Sequence, residues 1–99
     1  MNPIRFHPAV QRDINEAIRY YREISDALAE GFWEEVRLHL DWVRENPERY
    51  HFDESGLRRC NLERFPYHIL YEVLSDRVRV QVIRHHSRSP SYGRRREWN

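Results

Sequence analysis

LRRCNLERFPYHILYEVLSDRVRVQVIRHHSRSP, residues 57–90, decides how the rest of this chain must be arranged. Apolar residues alternate as Tyr67, Ile69, Tyr71, Val73 and again as Val78, Val80, Val82. A period of two is the mark of a half-buried strand. Ser75-Asp76 is the natural turn between the two runs, and a four-residue loop from Leu74 to Arg77 leaves the same register in place. That register pairs Val73 with Val78, Tyr71 with Val80 and Ile69 with Val82, all on one face. Glu72 then lies across from Arg79 on the other face, an opposite-charge pair at cross-strand distance. A slip of one residue would set the valines against His68, Leu70 and Glu72, so the pattern defines the register.

Working outward, Leu57–Leu62 reads as a further strand, with Cys60 and Leu62 on one side and Arg59 and Asn61 on the other. Pro66 precedes the hairpin, where a missing N–H does least harm. Residues 47–56 are polar and read as a loop. Upstream, residues 8–24 carry Val10, Ile14, Ala17, Ile18, Tyr21 and Ile24 at helical spacing, with Pro8 suited to a first helical position. Ser25 or Asp26 caps a second helix, whose stripe is Ala29, Phe32, Trp33, Val36, Leu40 and Val43. Asn46-Pro47 ends it. Tyr20, Tyr21, Trp33 and Trp42 are read as packing residues. Ile4-Arg5-Phe6 is a short first strand. Two helices joined so tightly run antiparallel and must bury their shared apolar side on the strand pair. The expected fold is α+β in the order β-α-α-β-β-β, a helical hairpin on one face of a small twisted, mainly antiparallel sheet.

Ninety-nine residues fit one domain, spanning 1–99, with a core only just sufficient. One cysteine, Cys60, excludes an internal disulfide and suits a reducing compartment. No stretch is apolar enough for a signal peptide or a membrane span, so the expected location is the cytoplasm, without membrane contact. The net charge of +1 conceals a division: residues 1–56 hold seven Arg and twelve Asp or Glu, residues 57–99 ten Arg and four. A basic half beside an acidic half points to an anionic partner, of which nucleic acid is the obvious one.

The hairpin register places His68, Leu70, Gln81, Ile83 and His85 on the face away from the helices, with Arg59 and Asn61 beside them. Arg84, His86, Arg88 and Tyr92 follow at the strand end. Arg, His and Tyr together meet the needs of metal-free RNA cleavage: proton transfer by His or Tyr, and fixed positive charge from Arg. Arg59, His68, Arg84, His85, His86, Arg88 and Tyr92 are the side chains of this group able to take such roles. The bland alternative is a solvated basic face that docks a partner, with Arg58, Arg59, Arg84, His85, Arg94 and Arg95 as its members. His85 and His86 are adjacent and would point to opposite faces of a strand. No Cys or carboxylate cluster has metal-ligand spacing, and no glycine-rich phosphate loop is present. No metal or other cofactor is expected.

FPYHILYEV, the alternating valine strand, and HHSRSP followed by Tyr92 and an arginine run resemble the C-terminal half of the RelE/ParE toxin superfamily. These are the small toxins of bacterial type II toxin–antitoxin (plasmid stabilisation) modules. The resemblance implies a cognate antitoxin as partner, and as target either the ribosome with its mRNA or DNA gyrase. For RelE-like endoribonucleases it assigns nuclease positions to Arg59, Arg88 and His86, and with His68 and Tyr92 at or near two further positions these five are the candidate catalytic set it implies. The second upstream basic position holds Asn61, the hairpin Arg position holds His68, and Tyr92 stands two residues early. ParE-like members, which poison gyrase by binding, lack the nuclease set and have a long helical hairpin. The 8–24 and 26–45 helices and the His-x-x-Arg-x-Pro ending, His85 to Pro90, match that branch. Three expectations remain: a ParE-like gyrase poison, which the departures favour; a RelE-like nuclease; and an inactive member kept for antitoxin binding.

Overall fold

The two alternating runs pair where the pattern puts them, next to the turn. In the computed structural model, which describes residues 3–98, β3 (Tyr67–Val73) and β4 (Val78–His85) are antiparallel. The Leu74 N–H donates to the Arg77 carbonyl at 2.8 Å, closing the four-residue loop. Val73 faces Val78, Glu72 faces Arg79, and Tyr71 faces Val80. Farther from the turn the expected register fails. A β-bulge between Leu70 and Tyr71 leaves Gln81 without an opposite residue, so Leu70 pairs with Val82 and Ile69 with Ile83, not with Val82.

The bulge exchanges faces. Ile83 joins the core beneath the helices, while Gln81 and Val82 turn to the sheet's second face. His85 likewise comes round to the helix side, its ring 5.1 Å from that of Tyr67. Ile83 and His85 therefore do not lie with His68 and Leu70 as expected. Two partners beyond the hairpin reward this arrangement. The Gln81 amide reaches the carbonyls of Gly93, Arg94 and Arg96, and the Ile83 N–H meets the Asp13 carboxylate at 3.1 Å.

β1 (Ile4–Phe6) lies parallel to β4, and β2 (Arg58–Asn61) antiparallel to β3, giving the sheet order β1-β4-β3-β2. Helices α1 (Val10–Ile24) and α2 (Asp26–Glu45) cover one face. Ser25, in extended conformation, ends α1 and caps α2 by accepting from the Leu28 N–H at 3.0 Å. Pro47 opens a short 3-10 turn, Pro47–Arg49. The core joins Val10, Ile14, Ala17 and Tyr21 of α1 and Phe32, Val36 and Val43 of α2 to Ile69, Tyr71, Val78, Val80 and Ile83. Tyr71 is fully buried, with its hydroxyl donating to the Pro47 carbonyl at 2.5 Å. Of the aromatics read as packing residues, Tyr21 is buried, but Tyr20 is 59% exposed and Trp33 38%. Ile24, the last residue of α1, is exposed too.

Part of the sheet's second face is also covered. The C-terminal segment lies over Val82, and Gly93 (φ +76°) lets it approach. A Cβ there would sit 2.6 Å from a Val82 methyl carbon, so no other residue fits without displacement. Trp98 donates its indole N–H to the Gln81 side-chain oxygen at 2.6 Å and meets the His7 ring edge-on. The Arg79 guanidinium covers the Trp98 ring at 4.6 Å.

Candidate functional site

Arg84 stands on β4 and was expected on an open basic face; it is buried, with 4% of its surface exposed. Its Nε–H donates to His68 Nε2 at 2.8 Å, and Nη1 donates to the carbonyls of Pro90 (2.9 Å) and Tyr92 (3.0 Å). Asp53 lies 4.0 Å from its other terminal nitrogen. Arg84 thus ties sheet, C-terminal segment and the 50–57 loop together, and has little to offer a ligand. A guanidinium can be buried in this way because its donors are satisfied in a fork that matches fixed acceptors.

His68 is 1% exposed. Burial, then the charges of Arg59 and Arg84, push its pKa down to about 3, so at neutral pH the ring is uncharged. Its other nitrogen, Nδ1, lies 2.9 Å from Nδ1 of His86. The ring planes are 11° from parallel with centroids 5.1 Å apart. With the facing nitrogens so close, that spacing sets the rings edge to edge, as an in-plane N–H···N bond requires. Arg59, on β2, donates to Asn61 (2.8 Å) and Asp53 (3.2 Å), and its Nη2 is 3.4 Å from His86 Nδ1. Burial alone would raise the Asp53 pKa. Hydrogen bonds from Ser55 and Arg59 and the charge of Arg84 outweigh it and keep the carboxylate ionised.

The structure splits the candidate catalytic set. Arg59, His68 and His86 meet in one cluster. Arg88 turns instead toward α1, 3.7 Å from Glu16, and its guanidinium lies over the Tyr92 ring. The Tyr92 hydroxyl points to Asp13 at 3.5 Å. Neither side chain hydrogen-bonds to the Arg59–His86–His68 cluster. The docking set divides as well. Arg58 alternates with Arg59 and lies on the helix side of β2, over Phe52, donating to the carbonyls of Glu48 and Tyr50. Arg94 and Arg95 are carried by the C-terminal segment, Arg95 exposed and Arg94 partly so.

Chemically, the cluster offers one neutral, exposed imidazole (His86) beside one arginine already engaged with a carboxylate. Cleavage of RNA needs a base, an acid and uncompensated charge around one phosphate. His68 supplies none of these, since both ring nitrogens are engaged and the ring is held uncharged.

Sequence reasoning missed the residues that close the second face. Asp13 is buried (6% exposed) and takes Arg96 as a two-point partner, at 2.7 and 2.8 Å. A signal was present: Asp13 stands three residues after Val10 and one before Ile14, on the apolar stripe of α1, where an unpaired carboxylate could not be tolerated. Glu35 gave the same signal on α2. It is buried, and its carboxylate accepts the backbone N–H groups of Glu63 and Arg64.

A groove of about 570 Å³ opens between the second half of α1 and the ends of β3 and β4. Tyr20 and Ile24 line it from α1, Tyr67 and His85 from the strand ends, and Arg88 from the turn beyond β4. No helix among the described residues is long and apolar enough to cross a membrane.

Comparison with known proteins agrees with this architecture. A solved structure described as the chromosomal ParDE TA system from P. aeruginosa has a chain that superposes with a TM-score of 0.76 at 16% sequence identity, over 86% of this chain and 96% of that one. No curated protein matches the sequence closely enough to count as a relative. The model of the family described as the ParE toxin of type II toxin–antitoxin systems, parDE, matches residues 4–90. Fold and sequence together define a toxin of the RelE/ParE superfamily. Within it, the chain belongs to the ParE toxin family.

Proposed function

We propose that this toxin arrests growth by binding DNA gyrase, that it cuts no RNA itself, and that a cognate antitoxin neutralises it. The observation that carries the reading is the fate of His68 and Arg84. Where a nuclease needs free charge on the sheet, both side chains are buried and consumed by each other and by the C-terminal segment. The separation of Arg88 and Tyr92 from Arg59 and His86 supports the same view. The family match, named for the parDE system, favours the gyrase-directed branch over the ribosome-directed one. Such a toxin works as one domain over residues 1–99, in the cytoplasm where gyrase acts.

An antitoxin segment would occupy the groove beside α1. Tyr20 and Ile24, 59% and 60% exposed, give it apolar anchors, and Arg88, in a long and half-exposed pair with Glu16, is free to exchange that partner for an antitoxin carboxylate.

Induction of the toxin alone in bacteria, followed by two readouts together, tests the reading. Gyrase-linked DNA breaks are expected to accumulate, while mRNA stays uncut within translated codons. Rapid codon-positioned mRNA cleavage that disappears in His86→Ala or Arg88→Ala would establish the nuclease instead. Undisturbed growth with well-expressed folded protein would favour an inactive member.

A further inference from the structure

The hydrogen bonds around His68 leave only one arrangement of protons. Arg84 can only donate, so His68 Nε2, 2.8 Å away, is an acceptor and the single proton of the neutral ring sits on Nδ1. That proton points at His86 Nδ1, 2.9 Å away, in a nearly coplanar contact. His86 Nδ1 is therefore an acceptor as well, and it also receives the Arg59 guanidinium at 3.4 Å. The proton of His86 is thereby fixed on its outward nitrogen, Nε2.

We propose that His68 and His86 form a proton-operated latch, in which a proton taken up at His86 Nδ1 expels the His86 ring from the sheet and loosens the turn that follows it, Ser87–Pro90. A proton at that atom has no acceptor. It meets the Nδ1–H of His68 head-on and adds a positive charge beside Arg59. His68 cannot yield by changing tautomer, because Arg84 holds Nε2 from the other side. His86 can, since it is exposed at the end of β4, whereas His68 is buried in β3.

Around the latch, β2 contributes Arg59, β4 contributes Arg84 and His85, the 50–57 loop contributes Asp53 and, by way of Arg84, Glu54, and the C-terminal segment contributes Arg94, also by way of Arg84. Asp53 is taken up by Arg59 and Arg84, so nothing negative faces His86 to welcome a proton. Burial, Arg59 and His85 all push its pKa below the ordinary histidine value, in that order. The latch is closed at neutral pH and opens in acid.

The turn is built to respond. Its Arg88 N–H donates to the His85 carbonyl at 3.0 Å, and Ser87 is held to the His85 ring through its N–H (3.0 Å) and its hydroxyl (2.8 Å). Both anchors are on the residue next to His86.

NMR of the ¹⁵N-labelled full chain from pH 8 to pH 4, with His86→Gln as comparison, tests the proposal. At pH 7.5 the ring spectra are expected to show His68 protonated on Nδ1 and His86 on Nε2. On acidification, the hydrogen-exchange protection factor of the Arg88 amide should fall by up to tenfold per pH unit from the ordinary histidine range down toward the lowered His86 midpoint, where it levels off, as linkage to a single proton requires. In His86→Gln, whose altered residue is exposed, most of that fall should be lost. A His68 ring protonated on Nε2, an Arg88 protection factor indifferent to pH, or the same fall in His86→Gln would each overturn the latch.

Discussion

Replacing Asp13 with Ala should be among the most damaging single changes to this toxin. Its carboxylate accepts the Ile83 N–H at 3.1 Å and both arms of Arg96 at 2.7 and 2.8 Å. All three donors are withdrawn from water; the side chains of Arg96 and Asp13 are 11% and 2% exposed. Removing one member of a buried ion pair strands the other, and costs about 3–5 kcal/mol. A domain of this size is stable by only about 5–15 kcal/mol, so Asp13→Ala should lose about a fifth of the total at the least. Arg96→Met should cost less, because Asp13 keeps the Ile83 amide and Tyr92 as partners. Urea unfolding of the wild type, both single variants and the double variant measures the coupling. The double variant should be more stable than the sum of the two singles requires, with a coupling energy of about 1–3 kcal/mol. Additive effects, or an Asp13→Ala loss under about 1 kcal/mol, would refute the clasp.

Two further outcomes follow from the site. The low pKa of His68, about 3, means that the unfolded chain binds a proton there which the folded chain refuses; stability from this group is present above pH 6.5 and lost as pH falls toward 3. At 1.36 kcal/mol per unit, urea midpoints should report a loss of about 2 kcal/mol between pH 7.5 and pH 5 that His68→Gln lacks, and equal losses in the two proteins would sink the assignment. For the groove, Tyr20→Ala with Ile24→Ala should weaken binding to the cognate antitoxin by at least tenfold in calorimetry, while changing stability little because both side chains are exposed; an affinity within threefold of wild type would place the antitoxin elsewhere.

How much of this was legible in the chain depended on the range of the interactions. The helical hairpin, the turn and the three pairs nearest to it follow from periodicity, because each side chain's face is set by neighbours two to four residues away. The bulge is invisible to that reasoning. Val82 and Ile83 are equally apolar, and what selects Ile83 for the core is a carboxylate seventy positions earlier and a strap of carbonyls ten to fifteen positions later. Arg84 was misread for the same reason. An arginine at a strand end is open to solvent unless something covers it, and its cover, the Pro90 and Tyr92 carbonyls, lies beyond the strand.

The same cover supports the proposed gyrase-directed reading over a nuclease. The family match ends at residue 90. The residues that then lock down the second face of the sheet are Gly93, Arg96 and Trp98, through Val82, Asp13 and Gln81. A sheet face that is to receive RNA must keep its arginines hydrated and unpaired until substrate arrives. Here that face is occupied by the chain's own backbone carbonyls, and Arg84 has become the bond that holds them. His68 fits this role better than Arg would. A second guanidinium facing Arg84 at 2.8 Å would set two cations against each other in a buried site, whereas a neutral imidazole accepts from one neighbour and donates to the next. The histidine that departs from the nuclease pattern is therefore the residue the closed face requires. His68→Arg, the substitution that restores the pattern on paper, would lift the strap before it restored any chemistry.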